Sequence, residues 1–262
     1  MAEYENVIYE RNQRTAIVTL NRPEKLNSLS REMQAEVRHA FLKAEHDPDV
    51  RVIVLTGEGR GFCTGADVRD LDVGARRMAE KNGAAPNPAA GNPVPRFFHD
   101  EVKKPIVAAI NGVVAGMGYS MAVGAEIKIA SEQARFAHIY LRRALVTSGE
   151  VWFLPRLIGL TDAFWHILLS EDITAEQALQ YRLVNKVVPH DKLMDETLAV
   201  CRILEEKPPL ALQYTKQAIW RGLDLSYNDT MEYIGYARAI VGQAGEFAEG
   251  TRAFLEKRQP VF

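Results

Sequence analysis

Apolar positions recur along this chain in two rhythms, one of period two and one of helical spacing. Val7-Ile8-Tyr9-Glu10-Arg11 and Thr15-Ala16-Ile17-Val18-Thr19-Leu20 alternate about a polar Asn12-Gln13 turn, which predicts a β-hairpin. Asn21-Arg22-Pro23-Glu24-Lys25 breaks that sheet. Ser30 then stands before Met33, Val37, Ala40, Phe41 and Ala44, a helical face with a capping residue in front, ending near Asp47-Pro48. Val50 and Val52-Ile53-Val54-Leu55 form a compact apolar run, the pattern of a strand buried on both faces.

From Pro105 to residue 125 there are 21 residues without a charge, about a bilayer span, with Gly112 and Gly116 at GxxxG spacing. The Asn111-Gly112 turn signal, the glycines at 118 and 124 and the β-branched Ile106-Val107 predict strand, turn, helix instead. Strands are expected at 127–130 and 135–137. The repeated order of strand, helix and strand predicts an α/β core with parallel pairing. Beyond Thr161 helical spacing dominates, at 163–169, 175–180, 194–204, 210–221 and 231–241. The expected division is a core over 1–200 and a helical region over 201–262. Residues 84–95, rich in Ala, Pro, Asn and Gly, have no period and read as a loop.

Composition narrows the function. With 47% hydrophobic and 25% charged residues the chain is an ordinary globular sequence, and disorder is excluded. A net charge of -2 supplies no global field toward nucleic acid or anionic lipid. Cys63 and Cys201 lie far apart, without a Cys-x-x-Cys pair, and the histidines at 39, 46, 99, 138, 166 and 190 show no paired ligand spacing. Neither a disulfide scaffold nor a metal site is expected. The first residues, Met1-Ala-Glu-Tyr-Glu-Asn6, carry no signal-peptide pattern, so the expected location is cytoplasmic.

Two glycine-rich turns hold the candidate chemistry. Gly57-Glu-Gly-Arg-Gly-Phe-Cys-Thr-Gly-Ala-Asp67 follows the buried strand, but neither register fits G-x-G-x-x-G and no Walker pattern occurs. Asn111-Gly-Val-Val-Ala-Gly-Met-Gly-Tyr-Ser-Met-Ala122 places small residues where a strand gives way to a helix, with backbone N–H groups free to face an anion. Two such turns could each aim one N–H at a single oxygen, an oxyanion hole for a polarised carbonyl. Taken singly, each turn also reads as close helix-on-sheet packing.

Five ordered segments give these turns a context: Leu20-Asn-Arg-Pro-Glu-Lys-Leu-Asn27, Gly61 to Asp67, Lys104-Pro-Ile-Val-Ala-Ala-Ile-Asn-Gly112, Leu154-Pro-Arg-Leu-Ile-Gly159 and Ala253-Phe-Leu-Glu-Lys-Arg258. In this the chain resembles the crotonase family, the enoyl-CoA hydratase/isomerase superfamily, over nearly its whole length. The resemblance implies a crotonase-like α/β spiral of ββα units with a C-terminal helical region. It also implies an acyl-CoA thioester substrate with no separate cofactor, and a homotrimer or homohexamer that binds neither nucleic acid nor membrane. The oxyanion donors it implies are the N–H groups of Ala66 and Met117. The implied CoA contacts are Lys25, Leu26, Thr64, Ala66, Asp67, Val68 and Arg69, with Phe254 and Lys257 reaching CoA from a neighbouring subunit. Solvated charge is the plainer reading of Lys25, Lys257 and Arg258.

The chain departs from the hydratase pattern at the two catalytic glutamates, whose places are taken by Ser120 and Tyr140. A tyrosine hydroxyl with an ordinary pKa near 10 is a poor base at neutral pH, so two-carboxylate hydration is not expected. Other branches place a single acid in the loop before Leu154-Pro155-Arg156; its usual position falls at Ser148, and the carboxylate nearest it is Glu150. Glu150 is the candidate acid/base with Tyr140 lining the pocket, and the alternative is a charge at a helix start. Gly118-Tyr-Ser-Met-Ala122 also resembles a nucleophile elbow, which would make Ser120 a hydrolase nucleophile with His138 the nearest downstream base. Cys63 reads as core, and Trp152, Phe153, Phe164 and Trp165 as core or acyl-pocket wall.

Overall fold

The computed structural model describes residues 4–67 and 101–262. Strands β1 (Val7–Asn12) and β2 (Thr15–Leu20) form the expected antiparallel hairpin with Asn12 opposite Thr15. The reversal falls on Gln13-Arg14, one residue later than the sequence suggested, with Gln13 at a φ of 53°. Helix α1 (Arg31–His46) starts where Ser30 accepts a hydrogen bond from Met33 N at 3.2 Å, and it buries Met33, Val37, Ala40, Phe41 and Ala44.

The later strands are β3 (Val52–Gly57), β4 (Gly61–Cys63), β5 (Ile106–Ile110), β6 (Val113–Ala115), β7 (Ile127–Ser131), β8 (Arg135–Ala137), β9 (Ile173–Thr174) and β10 (Lys186–Val188). They build a six-stranded sheet in the order β1-β2-β3-β5-β7-β10, parallel from β2 onward, and a four-stranded sheet in the order β4-β6-β8-β9. The large sheet is apolar on both faces. Ile53, Leu55, Ile106, Ala108 and Ile110 join the larger core with α1, while Val52, Val54, Val107, Ala109 and Ile129 face Leu193 and Cys201 on the other side. With each buried aliphatic side chain worth about 1.5–3 kcal/mol, covering both faces accounts for the unbroken apolar run in β3.

The helices after β6 are α2 (Met117–Gly124), α3 (Glu150–Leu157), α4 (Leu160–Leu169), α5 (Ala175–Gln180), α6 (Leu193–Glu205), α7 (Pro209–Gly222), α8 (Tyr227–Gln243) and α9 (Glu246–Glu256). The uncharged stretch 105–125 is thus β5, β6 and the eight-residue α2, and no helix among the described residues is long and apolar enough to cross a membrane. The expected division after residue 200 falls inside α6, which packs on the large sheet. Two aromatic assignments are corrected: Phe164 and Trp165, expected in the core or the pocket wall, are 59% and 56% exposed on α4, whereas Phe153 is buried. Their helix has an apolar stripe, Leu160, Phe164 and Leu168, that the described residues leave exposed.

Candidate active site

Strands β4, β6 and β8 run parallel, with Cys63 opposite Val114 and Ala115 opposite Ala137. Their carboxyl ends therefore deliver the segments 64–67, 116–117 and 138–140 to one edge of the small sheet. In parallel α/β sheets that edge is where ligands sit. Two glycines let the first two segments touch. Gly65 has a φ of 92° and Gly116 one of 54°, both left-handed, and a Cβ on Gly65 would lie 3.1 Å from Met117 N and 3.1 Å from Ala115 O.

Ala66 lies opposite Leu29 in a single parallel bridge: Leu29 N–H donates to Gly65 O at 2.7 Å and Asp67 N–H to Leu29 O at 3.0 Å. Strand alternation turns the N–H of Ala66 itself to the other side. Met117 is the first residue of α2, a position whose amide has no carbonyl of a preceding turn to bond. Among the described residues neither Ala66 N nor Met117 N donates a hydrogen bond. Two asparagines hold the surrounding turns in place. Buried Asn27 donates to Glu58 O and Gly61 O at 2.9 and 2.7 Å, and Asn111 accepts from Gly57 N and donates to Gly59 O at 3.2 and 2.9 Å.

Several residues carried over as CoA contacts share this neighbourhood. Lys25 ends a 3-10 turn (Pro23–Lys25), after which Leu26 and Asn27 take φ values of 49° and 56°. Thr64 N and Oγ1 donate to Leu26 O at 3.2 and 3.3 Å, and the Asp67 carboxylate lies 3.0 Å from Arg22 and 3.9 Å from Lys25. Val68 and Arg69 lie outside the described residues, as does the loop at 84–95. Phe254, 83% exposed, and Lys257 sit at the end of α9, with no hydrogen bond or ion pair to that neighbourhood among the described residues. Arg258 is bound rather than merely solvated, meeting Glu249 at 2.7 Å and Glu256 at 2.6 Å.

Glu150 opens α3, yet its side chain is fully buried and accepts a 2.8 Å hydrogen bond at Oε2 from His138 Nδ1. Burial raises the carboxyl pKa above its ordinary value, and the His138 bond opposes that rise. Among the described residues, four buried polar atoms in this region have no partner: Glu150 Oε1, His138 Nε2, Ser120 Oγ and Tyr119 Oη. Ser120 lies under the start of α3, where a Cβ on Gly149 would approach Oγ to 2.6 Å. Tyr140 is half-buried; burial and the charge of Glu150 push its hydroxyl above the ordinary tyrosine value, while the Ser148 side chain acts the other way. A neutral Tyr140 is thus a wall or a donor and not a base. Among the described residues Ser120 Oγ makes no hydrogen bond to His138, so the relay that a Ser120 nucleophile needs is not assembled here. Cys63 is buried, its thiol pushed up to about 12 by desolvation, in keeping with a core role.

The sequence reading missed His138 as the partner of Glu150. One signal was available: in an alternating strand His138 follows Phe136 by two, on the same inward face. The separation of 12 positions between His138 and Glu150 in the chain hid the pair.

Residues 10–262 match the family model described as enoyl-CoA hydratase/isomerase. A 1,2-epoxyphenylacetyl-CoA isomerase of Escherichia coli K12 is 34% identical over 94% of this chain and 93% of its own. An (E)-benzylidenesuccinyl-CoA hydratase of Thauera aromatica is 35% identical over 98% of each chain. Among solved structures, an enoyl-CoA hydratase/isomerase from Mycobacterium paratuberculosis superposes with a TM-score of 0.84 at 33% identity, covering 98% of both chains.

Proposed function

The chain belongs to the enoyl-CoA hydratase/isomerase family, and from that premise we propose that it moves a proton beside the carbonyl of an acyl-CoA thioester while the N–H groups of Ala66 and Met117 hold the carbonyl oxygen. The observation that carries this reading is the backbone contact between two glycine turns whose following amides both lack an acceptor among the described residues. As the α-proton leaves, charge builds on the thioester oxygen, and fixed donors stabilise it without reorganising; losing one such donor costs about 2.7–4 kcal/mol in comparable sites. Lys25, Leu26, Thr64 and Asp67 line the approach for the CoA moiety. Phe254 and Lys257 serve the site of a neighbouring subunit in a trimer or hexamer, and the chemistry needs no group beyond the substrate's own CoA.

Glu150 is the acid/base in this reading. With Ser120 and Tyr140 at the hydratase glutamate positions, a second carboxylate for two-carboxylate hydration is missing. One carboxylate suffices to take a proton from one carbon and return it to another, which favours isomerisation. The named relatives act on aryl-bearing acyl-CoAs by isomerisation and by hydration, so both reactions and both acyl types belong in the test. The test is a panel of crotonyl-CoA, a β,γ-unsaturated acyl-CoA, a β-oxoacyl-CoA and an aryl-substituted acyl-CoA. The expected result is conversion of the β,γ-unsaturated thioester, lowered about 10²–10⁴-fold by Glu150→Gln with binding retained. Binding without conversion of any member would favour a non-catalytic acyl-CoA-binding protein. A second reading, hydrolysis by Ser120, gains from the carboxylate found on His138 and loses from the unbonded Oγ; rapid fluorophosphonate labelling of Ser120 would bring it forward.

A further inference from the structure

We infer that His138 is a positioning residue for Glu150: its Nδ1–H holds Oε2, leaving Oε1 as the oxygen that exchanges a proton with substrate. This deepens the reading of Glu150 as acid/base and rests on it.

The geometry is specific. His138 follows β8 directly, Glu150 begins α3, and their 2.8 Å bond closes the intervening loop, which holds Tyr140 and Ser148. The two side chains are 3% and 0% exposed. An ionised carboxylate has no proton to donate, so Nδ1 carries the hydrogen and Nε2 is the nitrogen left over. Among the described residues, that nitrogen and Oε1 are the two atoms of the pair without a partner.

The groups packed round the pair leave its charge to the pair itself. From α2, the Tyr119 ring lies 5.0 Å from that of His138, and burial together with the Glu150 charge keeps its hydroxyl neutral. From α4, the His166 ring stacks at 6.1 Å, its nitrogens engaged by Glu171 O at 3.2 Å and Tyr181 Oη at 3.3 Å. Tyr140 and, beside it, Cys63 from β4 are both pushed toward their neutral forms. No lysine or arginine among the described residues pairs with Glu150.

The chemistry balances. In the first half the α C–H bond breaks, its electron pair moves into the enolate held by Ala66 and Met117, and the proton goes to Oε1. In the second half the proton leaves Oε1 for the γ carbon as the double bond re-forms between the α and β carbons. The Nδ1 hydrogen stays on His138 throughout.

Three variants and one spectrum test this. The wild-type proton NMR spectrum should contain a strongly downfield Nδ1–H resonance that is lost in Glu150→Gln and in His138→Leu. His138→Leu, folded by circular dichroism, should lose kcat by about tenfold or more with KM little changed, and the acid limb of its kcat/KM profile should move to higher pH. His138→Asn, whose amide can donate from the Nδ1 position, should restore both. The inference is overturned if the downfield proton is absent from the wild type, if the limb stays put in His138→Leu, or if His138→Asn fails to restore it. Should His138→Leu fail to fold, His138→Asn and the wild-type spectrum decide. Full activity in Glu150→Gln is a different result: it overturns the underlying assignment of Glu150, whereas an inactive Glu150→Gln with an unmoved limb in His138→Leu overturns the positioning role alone.

Discussion

Asn27 shows how much one side chain can do for the site. It is fully buried in a left-handed conformation, accepts from Arg22 N at 2.8 Å and donates to two carbonyls of the 57–61 turn. Asn27→Ala orphans those groups at about 1–3 kcal/mol for a buried unsatisfied group, so a loss of about 2–4 kcal/mol by chemical denaturation is expected. Asn27→Asp should be no milder despite its similar shape, because a carboxylate cannot donate to Glu58 O or Gly61 O. Lys128 carries a prediction about pH. Burial lowers its pKa to about 8, with Glu126 opposing, although Nζ donates to Ala125 O at 2.9 Å. Between pH 8 and the ordinary lysine value the unfolded chain binds more protons than the folded one, so stability should rise with pH across that window by of order 1–3 kcal/mol. Lys128→Met should abolish that rise in denaturation curves at pH 7.5, 9 and 10; a rise of equal size in the variant would contradict the assignment.

At the level of elements, Glu126 is one of the points that join the helical tail to the core. Its carboxylate meets Lys216 Nζ at 3.1 Å, Trp220 Nε1 at 2.9 Å and the backbone N–H of Ile106 at 2.8 Å, linking α7 to β5. Lys216 Nζ also donates to Lys104 O at 2.9 Å, and Glu246 at the start of α9 accepts from Leu210 and Ala211 N–H at the start of α7. Glu126→Ala removes a carboxylate that a buried ammonium meets, and the expected cost is about 3–5 kcal/mol. Hydrogen exchange should show early loss of protection in α7 while β3 and β5 keep theirs. Elements of this kind were legible in part. The hairpin, α1 and β3 could be read because each has a single strong period, and α7 and α8 because their apolar spacing is regular. The short β6, β9 and β10 were missed: strands of two or three residues carry too few positions for a period to show. Glu246 to Glu256, the helix α9, was missed as a helix because its start is a left-handed Gly245 without a capping side chain.

Across the whole molecule the uncovered apolar surface is large. Besides the α4 stripe, a groove of about 840 Å³ between α7 and α8 is lined by Ile219, Leu223, Ile234 and Phe247, of which Ile219 and Phe247 are 65% and 73% exposed. Contiguous apolar patches of this kind mark interaction sites, and they support assembly into the trimer or hexamer proposed above. Sedimentation velocity should find a species larger than the 29.3 kDa chain, and Phe247→Asp should shift it toward monomer. The same scale explains what the sequence could tell of the site. Gly65, Gly116, Ala66 and Met117 were legible because turns at strand ends are written locally, and the family resemblance supplied their order. The His138–Glu150 pair was not, since only the packing of α3 on α2 and the course of the chain after β8 bring the two side chains together.

The central claim is that two main-chain amides polarise one thioester carbonyl, and it can be read from that carbonyl directly. Proline is tolerated at the first position of a helix, so Met117→Pro removes one amide hydrogen with little change to α2. Isotope-edited infrared spectroscopy of a bound acyl-CoA labelled with carbon-13 at the thioester carbonyl should show the C=O stretch displaced to lower frequency in the wild type. In Met117→Pro it should move back toward its value in water. A carbonyl stretch that is the same in wild type, in Met117→Pro and in solution would contradict the account.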